Sequence, residues 1–100
     1  MFDPAIVVGF DWYAGNERKS ADKHGVSQAE AEQVFFSQAL LVLEDDRHSL
    51  MEARFHALGK TNEGRLLHIT FTLRQNNTLI RIISARDMHR KERAVYEQSP

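Results

Sequence analysis

Apolar and polar residues alternate through three stretches of the second half of the chain, near Arg54–Thr61, Arg65–Arg74 and Thr78–Ala85. Alternation with a period of two predicts half-buried strands. The residues between them suggest turns. If Asn62-Glu63-Gly64 is a three-residue hairpin loop, Gly64 takes its left-handed position. Thr61 then pairs with Arg65, and Phe55, Ala57 and Gly59 oppose Phe71, Ile69 and Leu67. If Asn76-Asn77 is a two-residue turn, both asparagines accept positive φ. Gln75 then pairs with Thr78, and Ile80, Ile82 and Ser84 oppose Leu73, Phe71 and Ile69. Both registers put the apolar set on one face, and a one-residue slip in either hairpin would break that agreement.

Upstream, Val7, Val8, Phe10 and Trp12 predict a first strand, ended by Ala14-Gly15-Asn16. A short helix from about Asn16 to Lys23 follows, closed by His24 and by Gly25 as a left-handed cap. Ser27 and Glu30 have capping-box spacing and open a second helix. Its apolar face carries Ala31, Val34, Phe35 and Gln38. Ala39–Leu43 reads as a strand and Glu44–Leu50 as a charged loop. After the strand Leu79–Arg86, a basic helix is expected from near Asp87, its N-cap, with Met88, Ala94 and Val95 among His89, Arg90, Lys91 and Arg93. The order is β-α-α-β-β-β-β-α, an α+β arrangement. Residues 1–6 read as a loose lead-in to a single domain spanning residues 1–100.

One hundred residues suffice for one sheet and a few helices. The longest apolar run, Ala39–Leu43, falls far short of the roughly 20 residues of a membrane span. The apolar start Ala5–Phe10 lacks a basic leader, so no secretory signal is expected. With no cysteine there are no disulfides or thiolate metal sites, and a cytoplasmic location is the expectation. The net charge of −1 argues against a nonspecific nucleic-acid coat. Anion binding must be local: Glu30–Asp46 is acid-rich and Arg81–Arg93 base-rich.

The same register aligns Arg54, Thr72 and Arg81 in one row across three strands on the other face. His56 and Thr70 form the next row, and His68 lies in the one after. Strands about 4.8 Å apart place the two arginine backbones roughly 10 Å apart, so their side chains could converge on one phosphate. Like charges on a sheet repel unless an anion or carboxylate sits between them. The row is therefore either a phosphate site or a solvated face partnered by Glu52 or Glu92. The five histidines are scattered, no pair has zinc-helix spacing, and no glycine-rich phosphate loop exists. Neither a metal nor a cofactor is expected. Trp12 and the phenylalanines read as core, and Tyr96 as either packing or functional.

These pieces, in order, resemble the BrnT-type toxins. They are Phe10-Asp11-Trp12, Lys23-His24-Gly25-Val26-Ser27, Asp45 with His48-Ser49, Glu52-Ala53-Arg54-Phe55 and Ala57-Leu58-Gly59. Gly64-Arg65-Leu66-Leu67, Thr72, Arg81-Ile82-Ile83-Ser84-Ala85-Arg86, Arg90, Glu92-Arg93 and Tyr96-Glu97 complete the set. The resemblance implies a compact RelE-like fold, an antiparallel sheet flanked by helices. It implies metal-independent RNA cleavage that inhibits translation, and neutralisation by a ribbon-helix-helix antitoxin, the complex binding its own operator DNA. The chain departs from the pattern at Tyr13, Asn16 and Ser20, and at His56 and His68, where relatives usually carry apolar residues. The two histidines are accordingly not taken as catalysts.

Ribonuclease chemistry without a metal needs a base for the ribose 2′-OH, cations for the crowded phosphate and an acid for the departing 5′-oxygen. Arg54 and Arg81 are expected to stabilise the phosphate, with Lys23, Thr72, Arg86 and Arg90 as further RNA contacts. Glu52, His24 and Tyr96 are the acid–base candidates. The alternative is a toxin-like protein without activity that serves only as antitoxin partner or co-repressor. A stand-alone RNA-binding module lacks aromatic stacking motifs and net positive charge.

Overall fold

The alternating second half forms a three-strand meander onto which the rest of the chain is added. The computed structural model describes residues 2–12, 24–45 and 52–98. Its strands are β1 (Gly9–Phe10), β2 (Leu41–Asp45), β3 (Arg54–Lys60), β4 (Leu66–Arg74) and β5 (Leu79–Asp87). Among the described residues two α-helices accompany them, α1 (Gln28–Val34) and α2 (Arg90–Gln98). The sheet runs β1-β5-β4-β3-β2. Strands β2 to β5 pair antiparallel, as expected, while β1 joins β5 in parallel through Gly9 and Leu79 and through Phe10 and Ile80. The α+β class holds, with a mixed rather than purely antiparallel sheet. No helix among the described residues is long and apolar enough to cross a membrane.

The first hairpin has the expected register, with Phe55 opposite Phe71, Ala57 opposite Ile69 and Gly59 opposite Leu67. Thr61 N–H donates to the Arg65 carbonyl at 2.9 Å, and Gly64 takes φ of 89°. The second hairpin agrees for Leu73–Ile80 and Phe71–Ile82, and then shifts. A bulge puts Ser84 opposite Thr70 and Ala85 opposite Ile69. The correction has a packing reason. Ala85 is fully buried, and the extra residue turns it, rather than Ser84, into the core. The turn is also wider than a two-asparagine turn: Gln75, Asn76 and Asn77 all have positive φ.

Helix α1 begins with the expected capping box. Ser27 Oγ accepts from the Glu30 N–H at 3.1 Å and Glu30 Oε1 accepts from the Ser27 N–H at 3.0 Å. Gly25, at φ of 64°, is left-handed as expected. The helix stops at Val34, so Phe35 caps it and Gln38 is exposed. Ala31 and Val34 press on the sheet with Val26, Phe55, Leu67, Ile69, Phe71, Ile80 and Ile82. Gly59 permits this approach: a Cβ there would lie 2.7 Å from Val34 Cγ1, closer than carbon atoms pack.

Two further expectations are corrected. Strand β5 runs through Asp87, so α2 starts at Arg90; Glu92, inside its first turn, reaches back to accept from the His89 N–H at 2.8 Å, and the Asp87 carboxylate goes to Arg65 instead. The lead-in is anchored. Phe2 packs its ring against Phe71 at 5.3 Å and Phe55 at 6.2 Å, and Asp3 caps a 3₁₀ turn at Pro4–Ile6. Tied down in this way, the segment closes one end of the core. The expected helix Asn16–Lys23 and most of the loop Glu44–Leu50 lie outside the described residues.

Candidate active site

Helix α1 covers one face of the sheet, and side chains of the other parity point the opposite way. The first row of this outer face is Asp45, Arg54, Thr72 and Arg81, each opposite the next. The expected row therefore exists. Arg81 also grips Asp11, just beyond β1, with Nη2 at 2.7 Å and Nε at 3.1 Å from Oδ2. Thr72 is 2% exposed and its hydroxyl donates to the Ala53 carbonyl at 2.7 Å. It clamps the entry to β3 and does not present a donor to a ligand.

The second row brings Leu43, His56, Thr70 and Ser84 together. His56 Nε2 lies 2.8 Å from Asp45 Oδ2, and its Nδ1 lies 3.1 Å from Thr70 Oγ1. The third row holds Leu58, His68 and Arg86. The His56 and His68 rings lie 4.8 Å apart. Arg86 binds both oxygens of Glu92 at 2.8 Å, a two-point grip suited to its planar fork. That hydrogen bonding lowers the Glu92 carboxyl to about 2. Burial, then the nearby Arg86 charge, lowers His68 to about 4. Between these rows and α2 lies a groove of about 480 Å³, lined in part by His56, His68, Thr70, Arg86, Lys91 and Glu92.

The acid–base candidates are not gathered here. Glu52, two residues ahead of Arg54, is held by both terminal nitrogens of Arg74. The His24 carbonyl accepts from Arg65 at 3.3 Å, and the same Arg65 binds Asp87 at 2.7 Å and holds it below the usual carboxylate range. Asp87 is six residues along β5 from Arg81, about 20 Å at strand rise, so His24 lies at the far end of the sheet. Tyr96 is buried with Leu58 and Met88, and its hydroxyl has no hydrogen-bond partner among the described residues. Among the phosphate-binding candidates, Arg86 faces the groove, Arg90 is exposed at the start of α2, and Lys23 lies outside the described residues. Sequence reasoning passed over the histidines. The register already placed His56 beside Arg54, and only the distance to Asp45 was missing.

The shifted groups make stability depend on pH. Glu92, lowered in the fold, contributes stability that is complete above the ordinary carboxylate value and is lost as pH falls towards about 2. His68, held neutral in the fold, lets the unfolded chain take up a proton first, so stability falls from its ordinary value of 6.5 down to about 4. Thermal melts between pH 7.5 and 4 should show Tm declining with acid. His68→Gln should flatten the portion between pH 6.5 and 4, worth on the order of 2–3 kcal/mol. A wild-type Tm unchanged from pH 7 to 4.5 would contradict this.

Residues 12–92 match the family described as "Ribonuclease toxin, BrnT, of type II toxin-antitoxin system". The fold is similar to that in the 1.1 Å crystal structure of the Brucella abortus ribonuclease toxin BrnT, with a TM-score of 0.63 and 17% sequence identity. The superposition covers 84% of this chain and 100% of that one. Among curated proteins none matches the sequence. At this identity the structural likeness speaks for the fold, and the match over residues 12–92 speaks for descent. The chain belongs to the BrnT family, the ribonuclease toxins of type II toxin–antitoxin systems.

Proposed function

We propose that the chain is an active endoribonuclease that cuts RNA without a metal ion on the outer face of the sheet. The observation that carries this reading is the row in which Arg54 and Arg81 flank Thr72 across β3, β4 and β5, beside an open groove. Two guanidiniums at that spacing can each take a non-bridging oxygen of one phosphodiester and stabilise the charge that builds on it. Cutting RNA in this way would inhibit translation and growth. A type II system supplies a protein antitoxin, and we take it to be of the ribbon-helix-helix kind, reaching operator DNA only as the complex.

A second reading, an inactive partner of the antitoxin, draws support from the pairing of Arg81 with Asp11 and of Thr72 with the Ala53 carbonyl. The two readings part in one experiment. The purified protein is incubated with total RNA, free and in translating ribosomes, in excess EDTA. Fragments are expected in at least one of the two, together with growth arrest when the chain is expressed without an antitoxin. Intact RNA in both, with normal growth, would leave the inactive partner as the reading.

A further inference from the structure

We propose that His56 is the general base of RNA cleavage by this chain, with Asp45 as the residue that positions it. The inference rests on the ribonuclease reading above and adds the group that takes the proton. The candidates from the sequence are elsewhere: Glu52 is clamped by Arg74, His24 is at the far end of the sheet, and the Tyr96 hydroxyl is buried. His56 is two residues from Arg54 on the same face, about 7 Å along the strand, so a phosphate held by the arginines lies within its reach.

The hydrogen bonds fix which nitrogen is basic. The Asp45 carboxylate accepts, so Nε2, at 2.8 Å, carries the hydrogen in the neutral ring. Nδ1 is then the lone-pair nitrogen, accepting the Thr70 hydroxyl at 3.1 Å on the wall of the groove. This is the arrangement a base needs: one nitrogen oriented by a carboxylate and the other facing the substrate. A ribose 2′-hydroxyl entering the groove replaces Thr70 at Nδ1. Its proton passes to Nδ1 as the 2′-oxygen bonds to phosphorus. The bond from phosphorus to the 5′-oxygen breaks, and that oxygen takes a proton from water. The products are a 2′,3′-cyclic phosphate and a 5′-hydroxyl, and the imidazolium returns its proton to solvent.

The surrounding charges oppose one another. Asp45 on β2 and Glu92 on α2 favour the imidazolium, while Arg54 on β3, Arg86 on β5 and Lys91 on α2 oppose it. His68 on β4, at 4.8 Å, stays neutral near pH 7 and adds no repulsion.

The test uses the full chain and an RNA it cleaves. His56→Gln is expected to lower kcat by about a hundredfold or more, with KM within a few-fold and Tm little changed. Imidazole in the buffer should restore part of the activity of His56→Ala. Asp45→Asn, whose amide can donate to Nε2 and turn the ring to the wrong tautomer, should lower kcat and not KM. Wild-type kcat/KM should show an acid limb, a readout that no unfolded variant can obscure. Cleavage by His56→Gln within a few-fold of wild type, or a flat acid profile, would overturn the assignment while leaving the ribonuclease intact. Absence of wild-type cleavage on free and ribosome-bound RNA would overturn both.

Discussion

Replacing Arg54 and Arg81 together by alanine is expected to lower RNA cleavage by about a thousandfold or more, as removing single donors to a developing oxyanion costs about a hundred- to a thousandfold. The two residues sit in the same row, each across from Thr72, so a phosphate lying on β4 would meet both. Arg81 has a second duty, since it binds Asp11 and ties the end of β1 to β5. Its loss should therefore lower Tm as well, whereas Arg54→Ala should act mainly on kcat. Arg54→Lys and Arg81→Lys separate charge from shape: they keep the cation and lose the fork, so partial activity is expected. Initial rates on a defined RNA, with melts of each variant, supply the check. Double-alanine cleavage within a few-fold of wild type would remove the row from the chemistry.

Phe71→Ala is expected to be the most damaging single change to stability. Phe71 is fully buried at the middle of β4 and meets three other rings: Phe35 at 5.0 Å, and Phe2 and Phe55 at 5.3 Å. Truncating a buried phenylalanine costs roughly 3–5 kcal/mol, much of it for the cavity left behind. In a chain of this size that lowers Tm by about 15–30 °C. The three rings come from the lead-in, the segment after α1 and β3, so the void opens where separate parts of the chain meet. A melt of Phe71→Ala within a few degrees of wild type would show that these rings close over the gap, contrary to expectation.

The meander was legible because two kinds of signal agreed. Alternation named the buried face, and Gly64 named a loop whose length left one register. The bulge before Ser84 was not legible. Ile82-Ile83 reads as an unbroken apolar run, and only packing decides which isoleucine is the extra residue. The start of α2 was misplaced by three residues because Asp87 is a good cap in sequence, yet its carboxylate is taken by Arg65 at 2.7 Å. Parallel docking of β1 depends on contacts some 70 residues away, which no local pattern encodes.

The candidate site divides in the same way. The arginine row follows from register alone and was readable. The partners that occupy its side chains, Asp11 for Arg81 and Ala53 for Thr72, were not. Resemblance pointed away from His56 and His68 because relatives carry apolar residues there. The structure shows two imidazoles 4.8 Å apart and tilted by 37° in a groove, one of them hydrogen-bonded to a carboxylate.

The parallel pairing of β1 with β5 reaches into the biology of synthesis. Asp11 emerges early from a ribosome and Arg81 late, yet they form one ion pair at the edge of the arginine row. No nascent fragment that stops short of β5 can seat β1, complete the sheet or align both arginines. The row of Arg54, Thr72 and Arg81 is therefore assembled only after β5 has been made. Pairing that joins the two ends of the chain thus makes the arginine row one of the last features of the fold to form.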